Sequence, residues 1–360
     1  MKIVMFGHKT IPSRDGGVEI VVEELATRMH ERGHNVIVLN RKRKNSNSQK
    51  SYKGVKLYNI FTINKKSLDA LVYSFFATLK ARFLKPDVIH VHAEGPCFFL
   101  WMLGKHKKTK LIVTIHGLDW QRSKWGGLAT KIIKYGEKQA VKHADEIIVL
   151  SNSVKEYFKN TYNSETIFIP NGVNKPELLE PNEIKERWSL EKDSYILFVA
   201  RIVPEKGLNY LIKAFKRIES KTDKKLVIVG GPSHSQTYFD EVSKLCVGDD
   251  HIIMTGFQSG RVLDELFSNA YLYCLPSDVE GMPISLLEAM SFGNICLVSD
   301  IPENKDVIDA KSFTFKKSDV DDLADKLLYA INSNFETHNS QFIYKSWDDV
   351  VDETLKVYGR

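Results

Sequence analysis

Short unbroken apolar runs alternate along this chain with segments whose apolar residues recur every three or four positions. Residues 2–7 form the first run and read as a buried strand. Val18, Val21, Val22, Leu25 and Met29 then follow helical spacing and make one apolar face, closed near Gly33. Strands are predicted over 35–40, 55–61, 87–92, 110–116 and 146–151, with helices near 67–84, 96–104 and 127–143. Such alternation predicts a parallel sheet covered on both faces. The pattern restarts with strand 195–201, helix 208–220 and strand 225–230, then strands 252–255, 271–275 and 295–299 with helices between. Pro170 to Pro176 is dense in turn formers and a polar stretch continues to Pro181, so the linker is expected there. The fold class is α/β, with two similarly wound domains. Ligands of such sheets bind beyond the carboxyl ends of the strands, and sites favour domain interfaces, which draws attention to the loops after each strand.

One of those loops is chemically dense. Ser277 and Asp278 follow an apolar run, then Glu280-Gly281-Met282-Pro283-Ile284 leads into a helix that carries Glu288. Pro283 is expected in the first helical turn, where a missing N–H costs little. The open N–H groups of a helix start attract anions, phosphate above all. Glu280 then lies just outside the start and Glu288 roughly five residues inside it, about 8 Å along the axis. A nucleotide sugar has a matching layout of sugar, diphosphate and ribose. Alone, the same spacing also describes a capped helix with two solvated carboxylates.

Three more loops matter. Gly16-Gly17 stands immediately before a helix, either to let backbone N–H groups approach a phosphate or as an ordinary turn. Arg201 ends a strand and Lys206 follows five residues on, a pair of cations that can neutralise a diphosphate or lie solvated in a loop. His116 ends a buried strand ahead of Gly117, as a hydrogen-bonding group for a reacting centre or as a structural residue. His90 and His92 share a strand face, and their apolar surroundings suggest packing. Asp319-Val320-Asp321 matches a metal-binding pattern but sits at the start of a helix over 321–331, where capping charge accounts for it.

Bulk properties narrow the class. The chain has 360 residues, enough for two domains, with the hydrophobic and charged fractions of a soluble globular protein. Its N-terminus does not resemble a signal peptide, and no apolar run approaches the roughly 18 residues that span a bilayer. Cys97, Cys246, Cys274 and Cys296 lack metal-ligand spacing and read as small core residues in a reducing cytosol. Charge is divided unevenly: residues 1–170 hold 29 Lys and Arg against 14 Asp and Glu, a net +15, and the remainder 22 against 31, a net −9. Nucleic acid, an anionic membrane or a phosphorylated substrate each suits the basic half. Its aromatics are not interleaved with the basic runs as stacking platforms, which counts against nucleic acid.

Gly16-Gly17-Val18-Glu19, Thr114-Ile115-His116-Gly117, Ile169-Pro170-Asn171-Gly172-Val173, Arg201 with Lys206-Gly207, the Gly231 loop, Thr255-Gly256-Phe257 and Glu280 with Glu288 occur in this order over nearly the whole chain. Together they resemble retaining glycosyltransferases of the GT-B fold, family 4, with a narrower similarity to bacterial capsule, O-antigen and cell-wall polysaccharide transferases. The resemblance implies two Rossmann-like domains facing a cleft, an acceptor-binding one over 1–172 and a nucleotide-sugar-binding one over 173–344, and a terminal helix (345–360) that crosses back to the first. It implies Arg201 and Lys206 on the diphosphate, Glu280 on sugar hydroxyls, Glu288 on the ribose and His116 beside the sugar. Gly16, Gly17, Gly231, Gly256, Phe257, Gly281, Met282, Pro283 and Ile284 would line the donor. Many relatives have a second glycine where Pro283 stands, and Pro283 removes one N–H from that turn. The implied activity is metal-independent hexosyl or rhamnosyl transfer, with no cofactor beyond a UDP-, dTDP- or GDP-sugar, to a polyprenyl-diphosphate-linked glycan at the inner face of the plasma membrane. Arg41-Lys42-Arg43-Lys44, Lys65-Lys66, Lys105, Lys107-Lys108, Lys110, Lys131 and Lys134 could meet anionic headgroups there, each worth about 1 kcal/mol. The aromatic stretches 71–76 and 98–101 could insert or could belong to core helices. Two other classes compete: a sugar-nucleotide epimerase of the same architecture, and a non-enzymatic basic module for membrane or nucleic acid.

Overall fold

The computed structural model describes the chain except for residues 15, 43–48, 64, 66–67, 105–107, 122–125, 234, 334–343 and 360. Arg43, Lys44, Lys66, Lys105 and Lys107, named above, lie outside the described residues. The chain divides into two compact units, Met1–Gly172 with Trp347–Arg360, and Val173–Ser346.

The first unit has strands β1 (Lys2–Phe6), β2 (Asn35–Arg41), β3 (Ser51–Tyr52), β4 (Val55–Ile60), β5 (Val88–His92), β6 (Lys110–Ile115), β7 (Glu146–Val149) and β8 (Ile167–Phe168). They form one sheet in the order β3-β4-β2-β1-β5-β6-β7-β8. All described pairings are parallel except β3 with β4, a hairpin turned by Lys53 and Gly54 at positive φ. The central strands are buried along nearly their whole length, because helices cover both faces; this is why they read as continuous apolar runs. The helices are α1 (Gly17–Glu31), α2 (Asp69–Leu84), α3 (Leu128–His143) and α4 (Asn152–Tyr162), and the terminal helix Trp347–Gly359 belongs to this unit. Arg32 at the end of α1 grips that helix through Asp348 (2.9 Å) and Asp352 (3.1 Å).

The helix expected near 96–104 is present as a 3-10 helix, Gly95–Leu103. Beside Pro96 its buried residues are Cys97, Leu100 and Leu103, every third position, the period of the tighter helix.

The second unit holds β9 (Tyr195–Val199), β10 (Lys225–Val229), β11 (Ile252–Gly256), β12 (Leu272–Leu275), β13 (Cys296–Ser299) and β14 (Phe313–Phe315). All are parallel, in the order β11-β10-β9-β12-β13-β14. Its helices are α5 (Glu183–Trp188), α6 (Leu208–Ile218), α7 (Gln236–Cys246), α8 (Arg261–Ser268), α9 (Ile284–Ser291), α10 (Pro302–Lys305) and α11 (Val320–Asn332). Phe198, Leu211, Phe215, Ile228 and Leu327 centre a core between sheet and helices. Asp319 caps α11, accepting from the N–H of Asp321 and of Asp322 at 3.0 Å each, which accounts for the Asp-x-Asp pattern. The four cysteines are free thiols, Cys97, Cys274 and Cys296 buried and Cys246 half-buried.

Candidate functional site

Strand order places the chemistry of the second unit. From β9 the chain runs outward to β10 and β11, then returns so that β12 pairs with the other side of β9. The loops after β9 and β12 therefore leave the carboxyl edge side by side, at the point where winding reverses. They are tied by Asp278 N–H to Glu205 C=O at 2.9 Å. Gly207 makes the approach possible: its φ is +64°, and a Cβ there would stand 2.0 Å from Pro276 O.

This junction unites two predicted site residues 74 positions apart. Lys206 Nζ donates to Glu280 Oε1 in an ion pair whose side chains are 14% and 7% exposed. Such a pair is shielded from water, so its charges act on each other and on a bound anion more strongly than surface charges do. Asp278 is held behind it, accepting from Tyr210 Oη (3.1 Å) and Ser318 Oγ (2.7 Å). Arg201, half-buried, follows β9 by two residues.

Pro283 stands at the N-cap of α9, not in the first turn as expected. Its ψ of 108° is extended, and Leu286 and Leu287 N–H already bond back to its carbonyl. Gly281, Met282, Pro283 and Ile284 are buried around this start, and half-buried Glu288 is the fifth residue of α9. Ser277 Oγ nearby in sequence is buried without a hydrogen-bond partner. Gly231 follows β10, and a Cβ added there would meet nothing within 4 Å. Gly256 ends β11 at φ +72°, and Phe257 beyond it is exposed.

In the first unit the loop after β1 is pinned by α1. Buried Glu19 accepts from Lys9 N–H at 2.9 Å, and Glu23 from Ser13 N–H at 3.3 Å. Burial opposes ionisation of Glu19, yet that backbone bond and the nearby His8 and Lys9 hold its pKa below the usual range. Asn40 takes both backbone groups of Ile11, at 3.1 and 2.9 Å, and bonds His8 Nε2 at 2.8 Å. Gly16 is extended; a Cβ there would lie 2.5 Å from Glu19 Oε2, so the glycine makes room for that carboxylate. Gly17 opens α1.

His116 follows β6, is nearly buried, and its Nε2 lies 3.0 Å from His92 Nδ1. His90, two residues from His92, bonds Tyr358 Oη (2.6 Å) and Thr114 Oγ1 (2.7 Å). His90 and His92 pack as expected, fully buried with ring centroids 4.2 Å apart, and each also makes a side-chain hydrogen bond of its own. Burial pushes His90 down to about 3 and His8 to about 4, and drives His92 well below its ordinary value with help from the neighbouring histidines. His92 Nε2 is buried without a partner. An orphaned N–H costs more than an orphaned lone pair, so the proton belongs on His92 Nδ1, which donates to His116 Nε2.

Two Rossmann-like units, one with a cation and a carboxylate paired at its switch point, fit the class of GT-B enzymes. Residues 180–346 match the family model for glycosyl transferases group 1 and residues 15–175 that for glycosyltransferase family 4. The chain belongs to that family of glycosyltransferases. It is 28% identical to an uncharacterized glycosyltransferase of Methanocaldococcus jannaschii over 99% of this chain and 98% of that one. It is 25% identical to the UDP-Gal:alpha-D-GlcNAc-diphosphoundecaprenol alpha-1,3-galactosyltransferase of Escherichia coli, covering 73% of this chain and 70% of that one. Among solved structures, Anabaena HepE in complex with UDP-glucose matches with a TM-score of 0.79 at 14% identity, over 99% of this chain and all of that one; this likeness speaks for the fold.

Proposed function

We propose that the protein transfers a sugar from a nucleoside-diphosphate sugar, with retention at the anomeric carbon, to a lipid-linked bacterial surface glycan. The observation that carries this is the largely buried ion pair of Lys206 with Glu280, the latter just ahead of α9. A diphosphate arriving there meets a fixed ammonium, the adjacent Arg201 loop and the helix N-terminus, which together stabilise the charge that grows as the glycosidic bond breaks. Glu280, released from Lys206 by the incoming diphosphate, is free to accept sugar hydroxyls. Glu288, a turn further along α9, takes the ribose. His116, Gly16 and Gly17 are assigned to the sugar and the donor on resemblance alone.

The similarity to a diphosphoundecaprenol-dependent galactosyltransferase supports a polyprenyl-diphosphate acceptor. The donor is a UDP-, dTDP- or GDP-hexose or deoxyhexose, handled without a metal. The basic first half favours an anionic membrane, so the protein works peripherally at the inner face of the plasma membrane. Among the described residues no helix is long and apolar enough to cross a membrane.

The test is release of nucleoside diphosphate from a panel of UDP-, dTDP- and GDP-sugars, with and without lipid extract, by wild type and Glu280→Ala. Lipid-dependent release from one donor, lost in the variant, is expected. Absence of release from every donor by folded protein would overturn the proposal.

A further inference from the structure

Helix α2 is built inside out. Toward the sheet it buries Tyr73 and the small residues Ser74, Ala77, Thr78 and Ala81. Outward, at spacings of three and four, stand Leu68 just ahead of it, then Val72, Phe76, Leu79 and Phe83. Phe83 is 75% exposed, Leu68 43% and Phe76 40%, although a soluble helix of this composition would turn its largest side chains inward. The stripe widens on both sides. Phe61, 55% exposed, meets Phe76 edge to face with ring centroids 5.6 Å apart. Trp101, 54% exposed, joins Leu79, Arg82, Phe83 and Met102 around a surface groove of about 420 Å³. Contiguous exposed apolar surface of this kind marks a docking face.

Charge says what docks. Along α2 and the 3-10 helix that flanks it the sole acid is Asp69, and Arg41 holds it at 3.2 Å. The rim is cationic: Lys80, whose ammonium sits 4.8 Å over the Tyr58 ring, Arg82, which donates to Met102 O, and exposed Lys85. A second copy is a poor occupant, since a two-fold contact would set this rim against itself. Aromatics ringed by cations match an interface of anionic headgroups over acyl chains.

We propose that the outward face of α2, with Phe61 and Trp101, inserts into the interfacial layer of an anionic bilayer. At 1.5 Å per residue the 16-residue helix lays about 24 Å of apolar stripe along the membrane plane. The inference deepens the membrane reading above but not the transfer reaction, and vesicle binding is measured without donor or acceptor. Its failure would therefore leave the transfer itself standing.

The experiment is co-sedimentation of the full chain with vesicles of phosphatidylcholine alone or mixed with phosphatidylglycerol. Binding to the mixed vesicles is expected, weakened roughly tenfold or more by Phe83→Asp, the loss of one inserted aromatic, and weakened by salt and by Lys80→Glu with Lys85→Glu. Bromine-labelled acyl chains should quench a component of tryptophan emission that Trp101→Phe removes while vesicle binding persists. Three outcomes would each overturn the proposal: no sedimentation with anionic vesicles, undiminished binding by a Phe83→Asp protein with wild-type melting, or a dimer in sedimentation velocity that Phe83→Asp dissociates.

Discussion

Replacing Lys206 and replacing Glu280 should have opposite effects on nucleotide binding. In the free protein each neutralises the other, and both are largely removed from water. Truncating either leaves an uncompensated charge, which for buried pairs costs about 3–5 kcal/mol of stability. Glu280→Gln keeps a hydrogen-bond acceptor beside the ammonium and should cost less than Glu280→Ala. For binding, an arriving diphosphate must compete with Glu280 for Lys206. Lys206→Met removes a charge-assisted hydrogen bond worth about 1.5–3 kcal/mol, so affinity for the preferred nucleoside diphosphate should fall by about one to two orders of magnitude. Glu280→Gln removes the competitor, so affinity should hold or rise, while transfer from the matching nucleotide sugar drops at least about tenfold because the sugar loses a charged partner. Calorimetric titration of UDP, dTDP and GDP into the three proteins, with urea melts as folding controls, measures all of this. Equal weakening by the two variants, or undisturbed binding by Lys206→Met, would refute the assignment of the ammonium to the diphosphate.

Four other expectations follow from the structure. His8 and His90 are held below their unfolded value of 6.5, to about 4 and about 3, so the unfolded chain takes up protons that the native one refuses. Stability should therefore be full above about pH 6.5 and decline as pH falls toward 4 and 3, by about 2 kcal/mol per histidine at pH 5; urea melts of His8→Asn should show a shallower decline unless the assignment is wrong. His92→Phe should lower kcat more than KM for the donor and displace the pH profile, with partial rescue by His92→Asn, which still offers a donor to His116; equal behaviour of the two variants would make His92 a packing residue. Gly207→Ala forces a Cβ into left-handed backbone and against Pro276 O, so loss of more than about 1 kcal/mol is expected in thermal melts. Asp319→Ala removes the α11 cap and should cost about 1 kcal/mol while leaving activity unchanged.

The long central strands were legible because burial on both faces writes them as unbroken apolar runs, and the restart of that pattern at residue 195 announced a second sheet. Elements of two or three residues, such as β3, β8 and β14, carry too little period to be seen. The helix expected near 96–104 is there, and its repeat of three belongs to the tighter 3-10 type. α2 illustrates a different limit: with apolar residues on more than one face it does not declare which face is buried, and Tyr73 turned out buried while Phe76 and Phe83 are exposed. At the site, Glu280, Lys206 and His116 stood out by their place at strand ends. Their partners did not. Lys206 meets Glu280 only because β12 returns to the flank of β9, and His92 meets His116 only because β5 pairs with β6 in a register that sets His92 opposite Thr114.

The central claim, retaining transfer to a lipid-linked acceptor, is tested most directly by following the labelled sugar of the donor that the protein accepts. Incubated with lipid extract, wild type should move label into the organic phase, and the product's anomeric proton should show the configuration of the donor. Label that stays water-soluble as an epimerised nucleotide sugar, or a lipid product of inverted configuration, would contradict it.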